Sequence, residues 1–316
     1  MKKLALIAAS LFACTSAFAT TQLVMGTGGT TGTYYPLGGA ISQIVSAHSN
    51  GVVNITAQAT GASNENINLV NLGDVDLAIA QNDIAHYALN GELFWDKPQT
   101  NFKAIGRLWP ELIQIAVAAD NPAETIADFK GQTISVGAPG SGNEANVRQT
   151  FGAYGLYKEG KYVDFKPLFL SYAETVSHFK DRQVDGFQFS NAAPNSGIQE
   201  IVTNQPLKFI EIKGEKRDEI IKQYPFYAPA IIPADTYKNQ PNDVQTIGVQ
   251  ACLFVNADVG EEEVYTITKA LYENLEEIGE AHAKGKEITL EHALDGLTVP
   301  LHPGAERYFR EVGVLK

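Results

Sequence analysis

The chain has 316 residues, 44% of them apolar, with 36 acidic against 24 basic residues and a formal net charge of −12. That balance argues against nucleic acid or an anionic membrane surface as the partner. The length is enough to bury a core without disulfide staples.

The first 19 residues read as an export signal. Lys2 and Lys3 give the positive start, Leu4–Ala13 is an apolar stretch too short to span a bilayer, and Ala17-Phe18-Ala19 fits the small-x-small cleavage rule. Lipidation at Cys14 is disfavoured by the bulky Phe12. From Thr20 onward 22 basic residues face 36 acidic ones, about −14. Cys252 is then the one cysteine left; its apolar run Gln250–Val255 marks it as a buried small hydrophobe.

Apolar runs alternate with helical patterns from here on. Leu23–Met25 reads as a strand that ends in a glycine- and threonine-rich loop, Gly26–Thr33. Pro36 suits a first helical turn, and Leu37, Ile41, Ile44 and Val45 follow at helical spacing. Val52–Ala57 is a strand. Ser63 is read as the cap of the next helix with Glu65 in its first turn, and Asp76–Ala80 is again a strand. The pattern then repeats: strand Thr133–Val136, a second glycine loop Gly137–Asn143, a helix through Glu144, Val147 and Phe151, strand Val163–Phe169, a helix from Ser171, and strand Val184–Phe189. The two glycine loops stand 111 positions apart. The similar segments opening at Val75-Asp76 and Val184-Asp185 stand 109 apart. Two α/β halves with parallel sheets covered by helices are the expectation. A long strand Gln245–Val255 comes next. Asp258 and Glu261 then signal the start of a long helix whose apolar stripe runs Val264, Ile267, Leu271, Leu275, Ile278. Asn121-Pro122 and Asn239–Asp243 read as linkers, which assigns 20–121 plus 244–316 to one lobe and 122–243 to the other.

The loops fit no reaction motif. The dinucleotide pattern fails at Thr31, the phosphate loop lacks its lysine after Gly32, and Pro139 breaks an esterase elbow around Ser141. The six histidines show no metal-ligand spacing, so no metal, no cofactor and no enzymatic activity are expected. The chemistry that remains is holding: loops at strand ends and helix starts offer free N–H groups to an anion, and small residues let it approach the backbone.

Met25–Gly39, Ala59–Asn66, Gly73–Ala78, Gly137–Gly142 and Tyr224–Tyr227 resemble the TAXI-type solute-binding proteins of TRAP transporters, in the same order along the chain. The resemblance covers essentially the whole mature sequence. It implies a type II periplasmic binding protein fold, two α/β lobes joined by crossover segments. It further implies a periplasmic monomer that closes on glutamate, glutamine or a related small dicarboxylate such as 2-oxoglutarate and delivers it to membrane permease subunits. A cleft enzyme on the same fold and a sensor uncoupled from transport are the rival readings. Carried over residue by residue, the ligand site takes Gly28, Gly29, Thr30, Tyr34, Tyr35, Ser63, Asn64, Gln81 and Asn82 from the first lobe. The second lobe supplies Ser141, Gly142, Asn143, Ser190 and Asn191. Trp109 and Glu111 are assigned to the hinge, and Arg148 to the surface.

Overall fold

The structure is a computed structural model describing residues 19–316. All but the last residue of the expected export signal therefore lies outside the described residues. The first repeat runs β1 (Thr21–Gly26), α1 (Tyr34–His48), β2 (Val53–Gln58), α2 (Ser63–Leu72), β3 (Leu77–Gln81) and α3 (Asn82–Asn90). A long strand β4 (Phe102–Ala118) follows. The second repeat runs β5 (Thr133–Ser135), α4 (Gly142–Ala153), a small ribbon of β6 (Tyr157–Lys158) and β7 (Lys161–Tyr162), β8 (Lys166–Leu168), α5 (Tyr172–Lys180), β9 (Gly186–Asn191) and α6 (Ser196–Asn204). The chain closes with β10 (Leu207–Ile210), α7 (Gly214–Gln223), β11 (Ala228–Ile232), β12 (Val244–Asn256), α8 (Glu261–Glu273), α9 (Leu275–Ala281) and α10 (Pro303–Glu311). No helix of the described residues is long and apolar enough to cross a membrane.

The main sheet has the order β2-β1-β3-β12-β4-β9-β5-β8, with β11 beside β12 and β10 beside β4. Both repeats build the same parallel trio, β2-β1-β3 and β8-β5-β9. The sheet is nevertheless mixed rather than parallel throughout. β12 runs antiparallel to β3, β4 runs antiparallel to β9, and the two long strands run antiparallel to each other. Each closes one trio and then continues into the opposite half.

Those two strands also pass between cores. On β4, Ile105, Leu108 and Trp109 pack with α1 and the C-terminal helices α8–α10, whereas Ile113, Ile115 and Val117 pack with α4, α7 and their neighbours. On β12, Ile247 and Val249 belong to the second core, and Ala251, Leu253 and Val255 to the first. Two smaller clusters cover the other sheet faces.

Several local readings change. Ser63 is the first residue of α2 rather than its cap; the cap position is Ala62, at φ 72°, with no side-chain cap bond. The predicted long C-terminal helix breaks at Asn274 into α8 and α9, and Gly260, not Asp258, precedes α8. The strand expected over 163–169 contracts to β8 at the sheet edge, where Pro167 lacks an N–H to pair. Cys252 is free and buried, as its apolar run implies.

Candidate functional site

The two glycine loops do the same mechanical job. Each leaves the C-terminal end of a parallel strand and turns into a helix, so each aims a helix N terminus at the same space. In the first loop the Gly32 N–H closes a turn on the Gly29 carbonyl at 2.9 Å, and the Thr27 hydroxyl pins the loop to the Gln58 carbonyl at 2.6 Å. In the second, the Ser141 hydroxyl caps α4 by accepting the Glu144 N–H at 3.1 Å.

Between them lies a cavity of about 230 Å³. The N termini of α1, α2, α4 and α5 all reach it, through Thr33-Tyr34, Ala62-Ser63, Ser141-Gly142 and Ser171-Tyr172. Neither α1 nor α2 has a side-chain cap bond, so their first amides have no local side-chain acceptor, whereas serines cap α4 and α5. Among the described residues no lysine, arginine or histidine lines the cavity. Positive potential here comes from backbone N–H groups and helix dipoles alone.

Among the described residues the one ionisable carboxyl in the lining is Glu111, carried by β4 and 1% exposed. Its Oε2 accepts from the Tyr34 hydroxyl and from Gln81 Nε2, each at 3.0 Å. Tyr34 is held in turn by an edge-on contact with Trp109, centroids 5.7 Å apart. Burial pushes the Glu111 carboxyl up to about 8. The bonds from Gln81 and Tyr34 pull against that shift, and nearby Asp83 adds to it. Burial, and then Glu111, also push the Tyr34 phenol well above its ordinary value.

The halves touch around the cavity. The Thr33 hydroxyl donates to Asn191 Oδ1 at 2.7 Å, and the Ser196 hydroxyl to the Thr31 carbonyl at 3.1 Å. Gly142 presses on the first half: a Cβ there would lie 2.1 Å from Gln81 Oε1 and 2.9 Å from Ser63 Oγ. Farther out, Asn146 Nδ2 donates to Asp83 Oδ2 at 2.8 Å and Gln149 Nε2 to the Tyr87 hydroxyl at 3.1 Å.

Of the residues singled out from sequence, Gly28, Gly29, Thr30, Tyr34, Ser63, Gln81, Ser141, Gly142, Asn143, Ser190 and Asn191 line the cavity. Three do not. Tyr35 points to solvent, 38% exposed. Asn82 turns the other way, bonding the Gly296 carbonyl at 2.9 Å and the Gln250 N–H at 3.0 Å. Asn64 stays beside the loop at Gly140, outside the lining. Asn143 reaches the cavity, but its amide is committed to β9, donating to the Gln188 carbonyl at 2.9 Å and accepting the Ser190 N–H at 2.8 Å. Arg148 is half-buried rather than a surface residue: it pairs with buried Glu144 at 2.7 Å and lies over the Phe94 ring. Sequence reasoning missed Thr60–Ala62, Ser171–Ala173 and Glu111 as lining residues. The reading of Glu111 as a hinge residue does not anticipate its place in the lining; the one carboxylate within β4 is the available signal.

The sequence matches the NMT1-like family over residues 25–313. Among solved structures, a protein of Bordetella bronchiseptica RB50 superposes with a TM-score of 0.57 at 14% identity, covering 93% of this chain and 99% of that one. An ancestral arginine-binding protein bound to arginine gives 0.53 at 15% identity, covering 84% and 99%. The alkanesulfonate-binding protein SsuA of Xanthomonas axonopodis pv. citri, bound to MOPS, gives 0.50 at 15% identity, covering 93% and 85%. These likenesses establish the fold as the two-lobed α/β fold of periplasmic binding proteins.

Proposed function

The chain belongs to the NMT1-like family, and from that premise we propose that it is the periplasmic solute-binding component of a transporter, closing on a small anion. The ligand class is glutamate, glutamine or a related small dicarboxylate such as 2-oxoglutarate. The lobes are residues 20–121 with 244–316, and residues 122–243, and they hinge where β4 and β12 pass from one core to the other. The closed monomer hands its ligand to the membrane subunits of a TRAP-type transporter; the ordered motifs at Met25–Gly39 and Gly137–Gly142 support that assignment.

One observation carries the reading. Four helix N termini, two from each half, converge on one small cavity without a basic side chain. Such a site recognises a carboxylate by backbone amides, and contact with both halves favours the closed state. At about 230 Å³ the cavity is smaller than the roughly 300–1,000 Å³ of sites for drug-sized molecules, which fits a small metabolite. The enzyme alternative needs an activated nucleophile. The Ser141 hydroxyl instead caps α4, and no histidine, lysine or arginine lines the cavity to activate it.

The test is calorimetry on protein stripped of co-purified ligand by unfolding and refolding, against glutamate, glutamine and 2-oxoglutarate. Saturable binding of at least one, with compaction in X-ray scattering, is expected. Silence across the panel defeats the proposal.

A further inference from the structure

We infer that Glu111 selects the ligand by taking a protonated amine on the buried side of the cavity. This rests on the solute-binding reading and narrows it from small anions in general to molecules carrying an ammonium group together with a carboxylate.

The geometry of one carboxyl group leads there. Both donors that the protein offers, the Tyr34 hydroxyl and Gln81 Nε2, go to Oε2 at 3.0 Å. Oε1 accepts no hydrogen bond among the described residues, in a side chain that lines the cavity. A buried carboxylate with one oxygen unfilled is costly unless a cation or strong donor meets it. The protein supplies neither. Among the described residues the lining has no basic residue, and Arg148, which follows Gly142 on α4, is held by Glu144 at 2.7 Å. Burial pushes this carboxyl up to about 8, so the protein alone favours its protonated form near neutral pH, and an ammonium at Oε1 would favour the charged form instead.

An alkylammonium supplies what is absent: it carries a full positive charge and three donors, and accepts nothing. Tyr34, wedged against Trp109, and Gln81 fix the carboxyl so that its free oxygen is presented in one place. The rest of the cavity is complementary. The uncapped amides of α1 and α2 and the hydroxyl-rich loop suit the carboxylate of the same molecule. An α-amino acid therefore meets a carboxyl that its ammonium can hold in the charged form, with helix N termini at its carboxylate, whereas a 2-oxo acid of the same shape brings no cation to Glu111.

The experiment compares glutamate with 2-oxoglutarate, which keep the same two carboxylates and differ in amine against ketone. Ligand-stripped wild type and Glu111→Gln are titrated in parallel by calorimetry. Gln keeps the shape and an acceptor for Tyr34 but removes the charge. Wild type should prefer glutamate by at least about 30-fold, and E111Q should lose about 30-fold or more for glutamate while 2-oxoglutarate stays within about threefold. Equal wild-type affinities, or an equal loss for both ligands in E111Q, leave the solute-binding reading standing and overturn the role of Glu111. If wild type binds neither compound nor glutamine, the solute-binding reading itself falls. The wild-type preference needs no variant, so it tests the inference even if E111Q folds poorly.

Discussion

Replacing Gly142 by Ala should separate folding from closure. Gly142 is the first residue of α4, and its backbone conformation is one that any L residue adopts, so in an open molecule the substitution is benign or slightly helix-stabilising. In the structure, where the two halves meet, the added Cβ would stand 2.1 Å from Gln81 Oε1, 2.6 Å from Gln81 Cδ and 2.9 Å from Ser63 Oγ. A free glutamine end could swing away at little cost. This one is 2% exposed and tied to Glu111 at 3.0 Å, and the Ser63 hydroxyl is held by the Gln81 N–H at 3.1 Å. Relief therefore means overpacking, at about 1–3 kcal/mol, or breaking a buried hydrogen bond to a carboxyl, at about 1–3 kcal/mol. Either route puts about 1–3 kcal/mol on the closed state alone, which predicts ligand binding weaker by about fivefold to 150-fold. Calorimetry reads the affinity, X-ray scattering reads whether ligand still compacts the protein, and thermal unfolding without ligand reads the fold, whose midpoint should move by less than about 2 °C. Binding within threefold of wild type would refute the reasoning. So would a ligand-free midpoint lowered by many degrees, because the contact would then belong to a permanent core rather than to a closing interface.

Two further outcomes follow from neighbouring residues. Asn82→Ala should remove about 1–3 kcal/mol of stability, because it strands the Gly296 carbonyl and the Gln250 N–H, while glutamate affinity changes less than about threefold; urea unfolding and calorimetry check the pair, and a tenfold affinity loss without destabilisation would put Asn82 in the site. Asp83 is pushed up to about 7, first by burial, with the Asn146 bond pulling against it. Its pKa is raised in the folded protein, so its contribution to stability is whole below the unfolded value of 3.8 and is lost as pH rises through about 7. Asp83→Asn should therefore match wild type near pH 4 and exceed it by about 1–4 kcal/mol at pH 8. Urea unfolding at both pH values measures the difference, and an Asn variant less stable at pH 8 than at pH 4, relative to wild type, contradicts the assignment.

Much of the fold was legible because its signals are local. The strand, glycine loop and helix of each repeat are written in consecutive residues, and Ser171 with Glu174 closes a capping box that sequence spacing alone predicts for a helix start. β4 was not legible. Pro110 and Glu111 interrupt its apolar run, and proline argues against a central strand. The structure accommodates Pro110 beside an irregularity, where the pairing with β12 slips between Ala251 and Cys252. The break at Asn274 was hidden for a different reason. Leu271, Leu275 and Ile278 pack on one core from both sides of the break, so the apolar stripe continues where the helix does not.

Backbone direction explains the three site residues that stay out of the cavity. Three adjacent pairs were selected from sequence, Tyr34-Tyr35, Ser63-Asn64 and Gln81-Asn82, and the cavity takes the first member of each. Consecutive residues at a helix start point about 100° apart, and consecutive residues along a strand point to opposite faces. In these three pairs that divergence sends the second side chain away from the cavity, whereas at the tips of α4 and α5 both Gly142 and Asn143, and both Tyr172 and Ala173, line it. Motif resemblance marks the segment, and local backbone direction decides which residue enters. Ser190-Asn191 is another pair with both members in the lining. It lies at the end of β9, where the regular alternation stops and Asn191 Oδ1 is free to turn back onto the Ala192 N–H at 2.7 Å and meet Thr33 across the cavity. Glu111 escaped because the opposite condition holds. It comes from a strand without a glycine loop, and its place in the cavity depends on β4 pairing with β12 and β9, a contact that no local window of sequence contains.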